Sequence, residues 1–254
     1  MRSRYEAILN GVSLSSISSD ILILDVSYPS PAFRDTTFTV ANRHGVRHDK
    51  RKFEPLTASI SFEIHAYDIR RRQAIRDAVC EWARNGGKLE INDHHDQFIQ
   101  CVCSQFPSVG SVRNWTDSMA VEFTAYEVPF WQEKNPVVVS LTGQTASKAV
   151  YVPGTGEESL VEVEITPSQT LTSITLNVND RELTLSGISV SANSTIVISY
   201  DDRAIQSIKN GNTSLLNKRT GVDDLLAVCG GNNQFSVSAN KSVNATFKVR
   251  GLWT

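Results

Sequence analysis

The stretch TASISFEIHAYDIRRRQAIRDAVCEWARNGG, Thr57 to Gly87, changes its period at Asp68, and the change decides how the first half of the chain is read. Up to Tyr67 apolar and polar residues alternate strictly. Ala58, Ile60, Phe62, Ile64 and Ala66 fall on one face and Thr57, Ser59, Ser61, Glu63 and His65 on the other, as in a half-buried strand. Beyond Asp68 the spacing is helical. Ile75, Ala78, Val79 and Trp82 form one stripe, Asp68 is a suitable N-cap, and Gly86-Gly87 supplies a left-handed stop.

Outward from this pair, KLEIN, QFIQCVC and MAVEFTAYEV are three further strand-like runs, separated by the turn-forming NDHHD and PSVGS. Short connections favour antiparallel pairing with the helix over one face. Residues 1–133 are therefore expected to form an α+β domain. From about Val137 helical periodicity disappears and Ser, Thr, Val, Ile and Asn dominate. VEVEITP, SITLNVN, ELTLSG, STIVISYD, AIQSIKNG, FSVSAN and ATFKVRG alternate and are punctuated by turn dipeptides, which predicts a β-sandwich or barrel over 134–254. The polar WQEKNPVV, Trp131 to Val138, is expected to be the hinge between the halves. No internal repeat or low-complexity tract interrupts either half.

The charge balance, 25 Lys+Arg against 27 Asp+Glu, exerts no global pull on nucleic acid or anionic membrane, so partners are to be recognised by shape. No apolar run is long enough for a membrane helix, and the start of the chain lacks the core of a signal peptide, which leads to the expectation of a cytoplasmic product. Cys80, Cys101, Cys103 and Cys229 are scattered and are expected as free thiols.

Three constellations bear on chemistry. Asp201 and Asp202 in YDDRAIQSIKNGN are adjacent, whereas paired catalytic carboxylates face each other across a cleft, so a turn is the expectation; Asn210-Gly211 favours a second tight turn. His44, His48, His94, His95, Cys101 and Cys103 raise a zinc site, set against a polar hairpin turn followed by a strand with small buried thiols. The basic segment NRHGVRHDKRK contains Arg43, Arg47, Lys50, Arg51 and Lys52. It is a solvated hairpin arm, a contact for a protein partner, or a phosphate-binding patch, in that order. Arg70, Arg71, Arg72 and Arg76 flank the apolar helix stripe as a solvated face that can meet an acidic neighbour, with Asp68 and Arg72 spaced as an i,i+4 pair. Trp115, Trp131 and Trp253 suit core or junction packing. No phosphate-cradling glycine loop, G-x-S-x-G elbow or HExxH is present, and no cofactor is expected.

In order and spacing the chain resembles the distal tail protein (Dit) family of siphophages and their prophages. The resemblance is carried by NGV at Asn10 to Val12, TASISFEIHA, DIRRRQAIRDAVCEWA, KLEI with its acidic turn, AVEFTAYEVPFW, IVISYDDRAIQSIKNGNTSLL, GGNNQFSV and ATFKVRGLW, over nearly the full length. It implies a mainly β protein: an N-terminal α+β, split-barrel-like ring domain followed by a galectin-like β-sandwich. It further implies a non-enzymatic hub at the virion tail tip, made in the bacterial host cytoplasm. Such a hub is a homo-oligomeric ring, commonly a hexamer, that joins the tail tube protein to tail-associated, fibre or baseplate proteins, with no membrane partner and no sequence-specific nucleic acid. Arg43, Arg47, Lys50, Arg51, Lys52, Arg70 and Arg71 are then candidate subunit or partner contacts. The competing reading is a carbohydrate-binding adhesion protein acting through the sandwich.

Overall fold

The change of period at Asp68 is a change of structure. A computed structural model describes residues 5–39, 46–92, 94, 96–107, 118–155, 158–201, 205–220 and 225–254, with the side chains of 46–51 left aside. Arg43, His44, Asp93, His95, Trp115, Asp202 and Arg203 lie outside the described residues. The chain divides into two compact units, residues 1–131 with Thr254 and residues 132–253. Each is described by itself.

The first unit contains β1 (Ala7–Leu9), β2 (Val12–Ser13), β3 (Ile21–Ser27), β4 (Phe33–Thr39), β5 (Val46–Phe53), β6 (Leu56–Ile64), α1 (Ile69–Ala83), β7 (Gly87–Ile91), β8 (Gln97–Gln105) and β9 (Ser118–Ala125). Its main sheet runs in the order β2-β1-β7-β8-β9-β6-β3, with each neighbouring pair antiparallel. Along β6 the alternation is complete: Leu56, Ala58, Ile60, Phe62 and Ile64 are buried and the residues between them half-buried. Helix α1 starts at Asp68, whose carboxylate accepts from Arg70 N at 3.0 Å. The buried stripe is Ile75, Val79 and Ala83. Ala78, expected in it, is exposed, because only the narrow i, i+4, i+8 ridge of the helix is buried. Trp82 sits at the stripe's edge, its indole N–H donating to Val12 O at 2.9 Å and its ring meeting Phe123 edge-on at 5.7 Å. Among the described residues α1 is the one α-helix, and no helix is long and apolar enough to cross a membrane.

Asn10 explains the early NGV. With Gly11 it makes the β1–β2 turn at φ 52° and 82°, a backbone that Asn and Gly tolerate at least cost. Its side chain also bridges the exit of α1, donating to Gly86 O at 2.8 Å and accepting from Lys88 N at 3.0 Å. At Gly86 φ is +59°, and a Cβ there would lie 2.3 Å from Cys101 O, so the helix stop and the close approach to β8 both require glycine.

Between the units β10 (Trp131–Glu133) occupies part of the expected hinge. The second unit continues with β11 (Val137–Val152), β12 (Ser159–Leu160), β13 (Glu162–Pro167), β14 (Leu171–Val178), β15 (Arg181–Val190), β16 (Ile196–Tyr200), β17 (Gln206–Asn210), β18 (Thr213–Ser214), β19 (Arg219–Thr220), β20 (Ala227–Val228), β21 (Gly231–Val249) and β22 (Leu252–Trp253). Two expectations need correction. FSVSAN and ATFKVRG are halves of a single 19-residue strand, β21, and its partner is the unexpected 16-residue β11. The sequence runs looked separate because AsnLysSer at 240–242, polar and unalternating, resembles a loop.

That polar break is a corner. Phe235 and Phe247 lie twelve residues apart on β21, which would separate them by roughly 40 Å on a straight strand. Their rings are instead 5.5 Å apart, edge to face. Strand β21 therefore folds over itself, and β11 follows it through a register break between Gly143 and Thr145. Beyond the corner β13 pairs with residues 243–248 of β21; before it β14 pairs with 235–239. The two layers, β18-β17-β16-β13 and β14-β15-β19, are thus wings of one hydrogen-bonded sheet that close on a single apolar core. Corner peptides are satisfied locally. Asn240 accepts from Thr172 N and Ser173 N, each at 3.2 Å, and Ser242 O accepts from Ser168 N and Oγ. Arg250 ties the start of this unit to its end by donating to the Glu133 and Lys134 carbonyls, and the Trp253 indole donates to Glu133 Oε1 at 2.9 Å.

Two substitutions test this account by urea denaturation. Asn10→Ala loses two hydrogen bonds and places a Cβ-bearing residue without a local side-chain partner at positive φ, so a loss of about 2–4 kcal/mol is expected, with Asn10→Gly losing less. Phe247→Ala is expected to cost about 3–5 kcal/mol. A double-mutant cycle with Phe235→Ala should return a coupling of about 0.5–1.5 kcal/mol, and zero coupling would contradict the folded strand.

Candidate assembly surfaces

Strands β4 and β5 form a separate two-stranded ribbon, off the main sheet. All seven residues of β4 are exposed, so both faces of that strand are open, with Phe33 54% and Phe38 47% accessible. A two-stranded ribbon is marginal in water by itself. Its stem is held by two aromatic contacts, Phe33 to Phe53 and Phe53 to Phe130, each at 4.7 Å, and by a backbone hydrogen bond from Glu54 N to Ala32 O at 2.8 Å. The register places Arg34 directly opposite Lys52, and both are exposed. Two cations at one cross-strand position repel, so the ribbon carries an electrostatic demand that an external anion would meet. Of the basic residues singled out in the sequence, Arg47, Lys50, Arg51 and Lys52 lie on β5, whereas Arg43 is outside the described residues.

The helix arginines divide. Arg70 is exposed at the first turn of α1. Arg71 forms an ion pair with Asp20 at 2.6 Å, which ties the helix to the entry of β3. The arginine side chain is exposed, whereas the carboxylate is mostly covered.

A face that the sequence reading did not single out lies on the other side of the main sheet. Thr57, Ser59, Ser61 and Glu63 of β6 point away from α1. Ser59 stands opposite Glu122 on β9 and Ser27 on β3; Ser61 stands opposite Ala120 and Asp25. Strands β3, β6 and β9 contain Asp25, Glu63 and Glu122 and no Lys or Arg. Asp25 is exposed, Glu63 and Glu122 are half-buried, and Glu63 meets His65 at 3.0 Å. The polar phase of TASISFEIHA could have pointed here, but Glu122 and Asp25 join it only once pairing is known.

Of the possible zinc ligands, His44, His95 and the side chain of His48 are outside what is described, and His94 and Cys101 have other partners. His94 is stacked on Trp131 at 4.2 Å with 6° between planes, takes Tyr28 edge-on at 4.8 Å, and shares a hydrogen with Gln97 Oε1 at 2.9 Å. Cys101 is buried and donates to Gly87 O. Among the described residues no group of three or more His, Cys, Asp or Glu side chains is placed to hold a metal ion. Burial, and secondarily the neighbouring Cys103 thiol, push Cys101 up to about 12; burial also raises Cys103. At the second constellation Asp201 closes the β16–β17 turn, its carboxylate accepting from Ile205 N at 2.8 Å and its own N–H donating to Ile205 O. Gly211, φ +55°, makes the next turn as expected.

No family model and no curated protein matches this sequence. Solved structures do. The chain is similar to the SPP1 Dit protein, described as a paradigm of the hub adsorption apparatus in phages infecting Gram-positive bacteria, with a TM-score of 0.73 and 12% identity over 97% of this chain and 98% of that one. It is also similar to chains of the phage P2 baseplate in its activated conformation, with Ca at a TM-score of 0.53 and with Sr at 0.52, each at 10% identity over 97% of both chains. The shared property is the fold: mainly β, with one helix, along almost the whole length.

The thiols give a direct check of burial. At pH 8 iodoacetamide should alkylate exposed Cys229 and leave Cys101 unmodified, as read by peptide mass spectrometry. Between about pH 9 and 12 the unfolded chain releases a proton that folded Cys101 retains, so stability should fall as pH rises from about 9, and Cys101→Ala should flatten that slope.

Proposed function

We propose that the chain is a structural component of a long-tailed phage or prophage tail, a non-enzymatic hub whose first unit assembles into a ring of identical copies, six on this reading. The ring joins the tail tube to baseplate or fibre proteins at the virion tip, and the second unit, a galectin-like sandwich, faces those outer partners. The observation that carries the reading is the likeness to the SPP1 hub protein over 97% of the chain at a TM-score of 0.73. The ribbon supports it from physics. A pair of strands open on both sides of β4, with exposed Phe33 and Phe38 and two opposed cations, is stabilised by a neighbour that covers it, and a head-to-tail contact between copies closes a ring. Arg43, Arg47, Lys50, Arg51 and Lys52 are on this reading subunit contacts, and exposed Arg70 lies on a surface open to a partner.

Sedimentation velocity with negative-stain imaging tests it. The expected result is a closed ring with a central opening, and Arg47→Glu with Arg51→Glu should shift the population towards monomer. A protein that stays monomeric when concentrated together with tail-tube subunits would overturn the proposal. Binding of the monomeric whole chain to a glycan array would transfer the function to adhesion through the sandwich.

A further inference from the structure

We propose that Asn210 is a site of spontaneous covalent modification, where its side chain closes on the Gly211 amide to a succinimide that water opens to aspartate or isoaspartate. The reaction involves the second unit alone and goes beyond the tail reading.

The chain contains three Asn-Gly pairs, Asn10-Gly11, Asn85-Gly86 and Asn210-Gly211. Glycine after asparagine is open to this chemistry because no Cβ hinders the approach of its nitrogen to the side-chain carbon. At Asn210 the Gly211 nitrogen gives its proton to hydroxide and bonds to Cγ, and Nδ2 takes a proton from water and leaves as ammonia. Water then opens the ring. Cleavage between Cγ and the nitrogen leaves aspartate, and cleavage between the main-chain carbonyl carbon and the nitrogen leaves isoaspartate. Amide and water become acid and ammonia, with nothing oxidised or reduced.

The fold treats the three pairs differently. At Asn10 both ends of the amide are held, Nδ2 by Gly86 O at 2.8 Å and Oδ1 by Lys88 N at 3.0 Å, so the side chain is not free to turn. At Asn85 the side chain is exposed but the attacking nitrogen is engaged: Gly86 N–H donates to Ala83 O at 3.0 Å. Gly86 also lies against β8, where a Cβ would stand 2.3 Å from Cys101 O, and its peptide has little room to rotate.

Asn210 is held by neither restraint. Ser194 Oγ donates to its Oδ1 at 2.9 Å, which stabilises the negative charge that gathers on this oxygen as the nitrogen attacks. Its Nδ2 is buried and has no hydrogen-bond partner among the described residues, so departure of ammonia breaks no contact. Gly211 is exposed in the turn that sets Asn210 opposite Thr213, with φ +55° and nothing within 4 Å of its Cβ position. Among the described residues its N–H donates to no acceptor.

Either product disturbs the wing. Isoaspartate lengthens the main chain by a carbon where Asn210 pairs with Ile196 and Thr213, and so shifts the register of β17 against β16 and β18. Aspartate places a carboxylate oxygen where the buried Nδ2 stands, with no donor to meet it. The change is irreversible and loosens the margin that buries Ile208 and Leu215.

Peptide mass spectrometry of the whole chain, aged in mildly alkaline buffer with and without urea, tests the assignment. In the folded chain Asn210 is expected to convert at least about tenfold faster than Asn10, since both hydrogen bonds of Asn10 must break first, and faster than Asn85. In urea the three rates should converge. Ser194→Ala should slow conversion at Asn210 by about fivefold or more, and Ser194→Thr, which keeps the donor, should hold the native rate. Conversion at Asn210 no faster than at Asn10 or Asn85, or a ranking that persists unchanged in urea, overturns the proposal. So does an unchanged rate in Ser194→Ala with native circular dichroism and melting. Should that variant melt early, the threonine variant decides, and a rate well below native in a normally folded Ser194→Thr removes the role of the hydroxyl.

Discussion

The contact between Phe235 and Phe247 is the constraint on which the second unit depends. Two rings on one strand meet only if that strand is bent back on itself, and the bend turns a single sheet into two facing layers. Val163, Ile165, Ile196 and Ile198 then come from one wing and Leu171, Ile174 and Leu176 from the other, all within one core. Burial of the 26 side chains of this core, at roughly 25 cal/mol per Å² of apolar surface, dwarfs any single hydrogen bond. The corner itself is polar, and the side chains of Asn240 and Ser168 occupy peptide groups that ladder partners cannot reach there.

The first unit solves a different problem. A sheet covered on one face by a single helix leaves its other face to solvent, and here that face is hydroxyl-rich and acidic while a basic ribbon stands apart with little of its own chain around it. The helix stop at Gly86, the turn at Asn10-Gly11 and the close passage of β8 are one cluster of backbone contacts. Its rigidity positions β7 and β8, and through them β9 and β6.

Local grammar was legible where it was redundant. TASISFEIHA and the helix after it combine period, cap and stop, and each of these has its counterpart in β6, Asp68 and Gly86. Asp201 and Gly211 were legible as turns for the same reason. What escaped was whatever depended on distant partners. Strand β11 is poor in strong β signals through ThrGlyGlnThrAlaSerLys and is a strand because β21 pairs with it along its length. The acidic face escaped because Asp25, Glu63 and Glu122 lie far apart in sequence and share a surface only through antiparallel registers. The basic segment was visible as a cluster, but the opposition of Arg34 to Lys52 needed the pairing to be known.

The partnership of β11 with β21 also dictates when the second unit can exist. Residues 137–152 remain without their ladder until residues 231–249 have been synthesised and have left the ribosome, so nearly a hundred residues must wait in an unfolded state before the core can close. A chain released early lacks the strand that both wings hang from. A product that stops before residue 231 leaves β11, β13 and β14 without the strand they share.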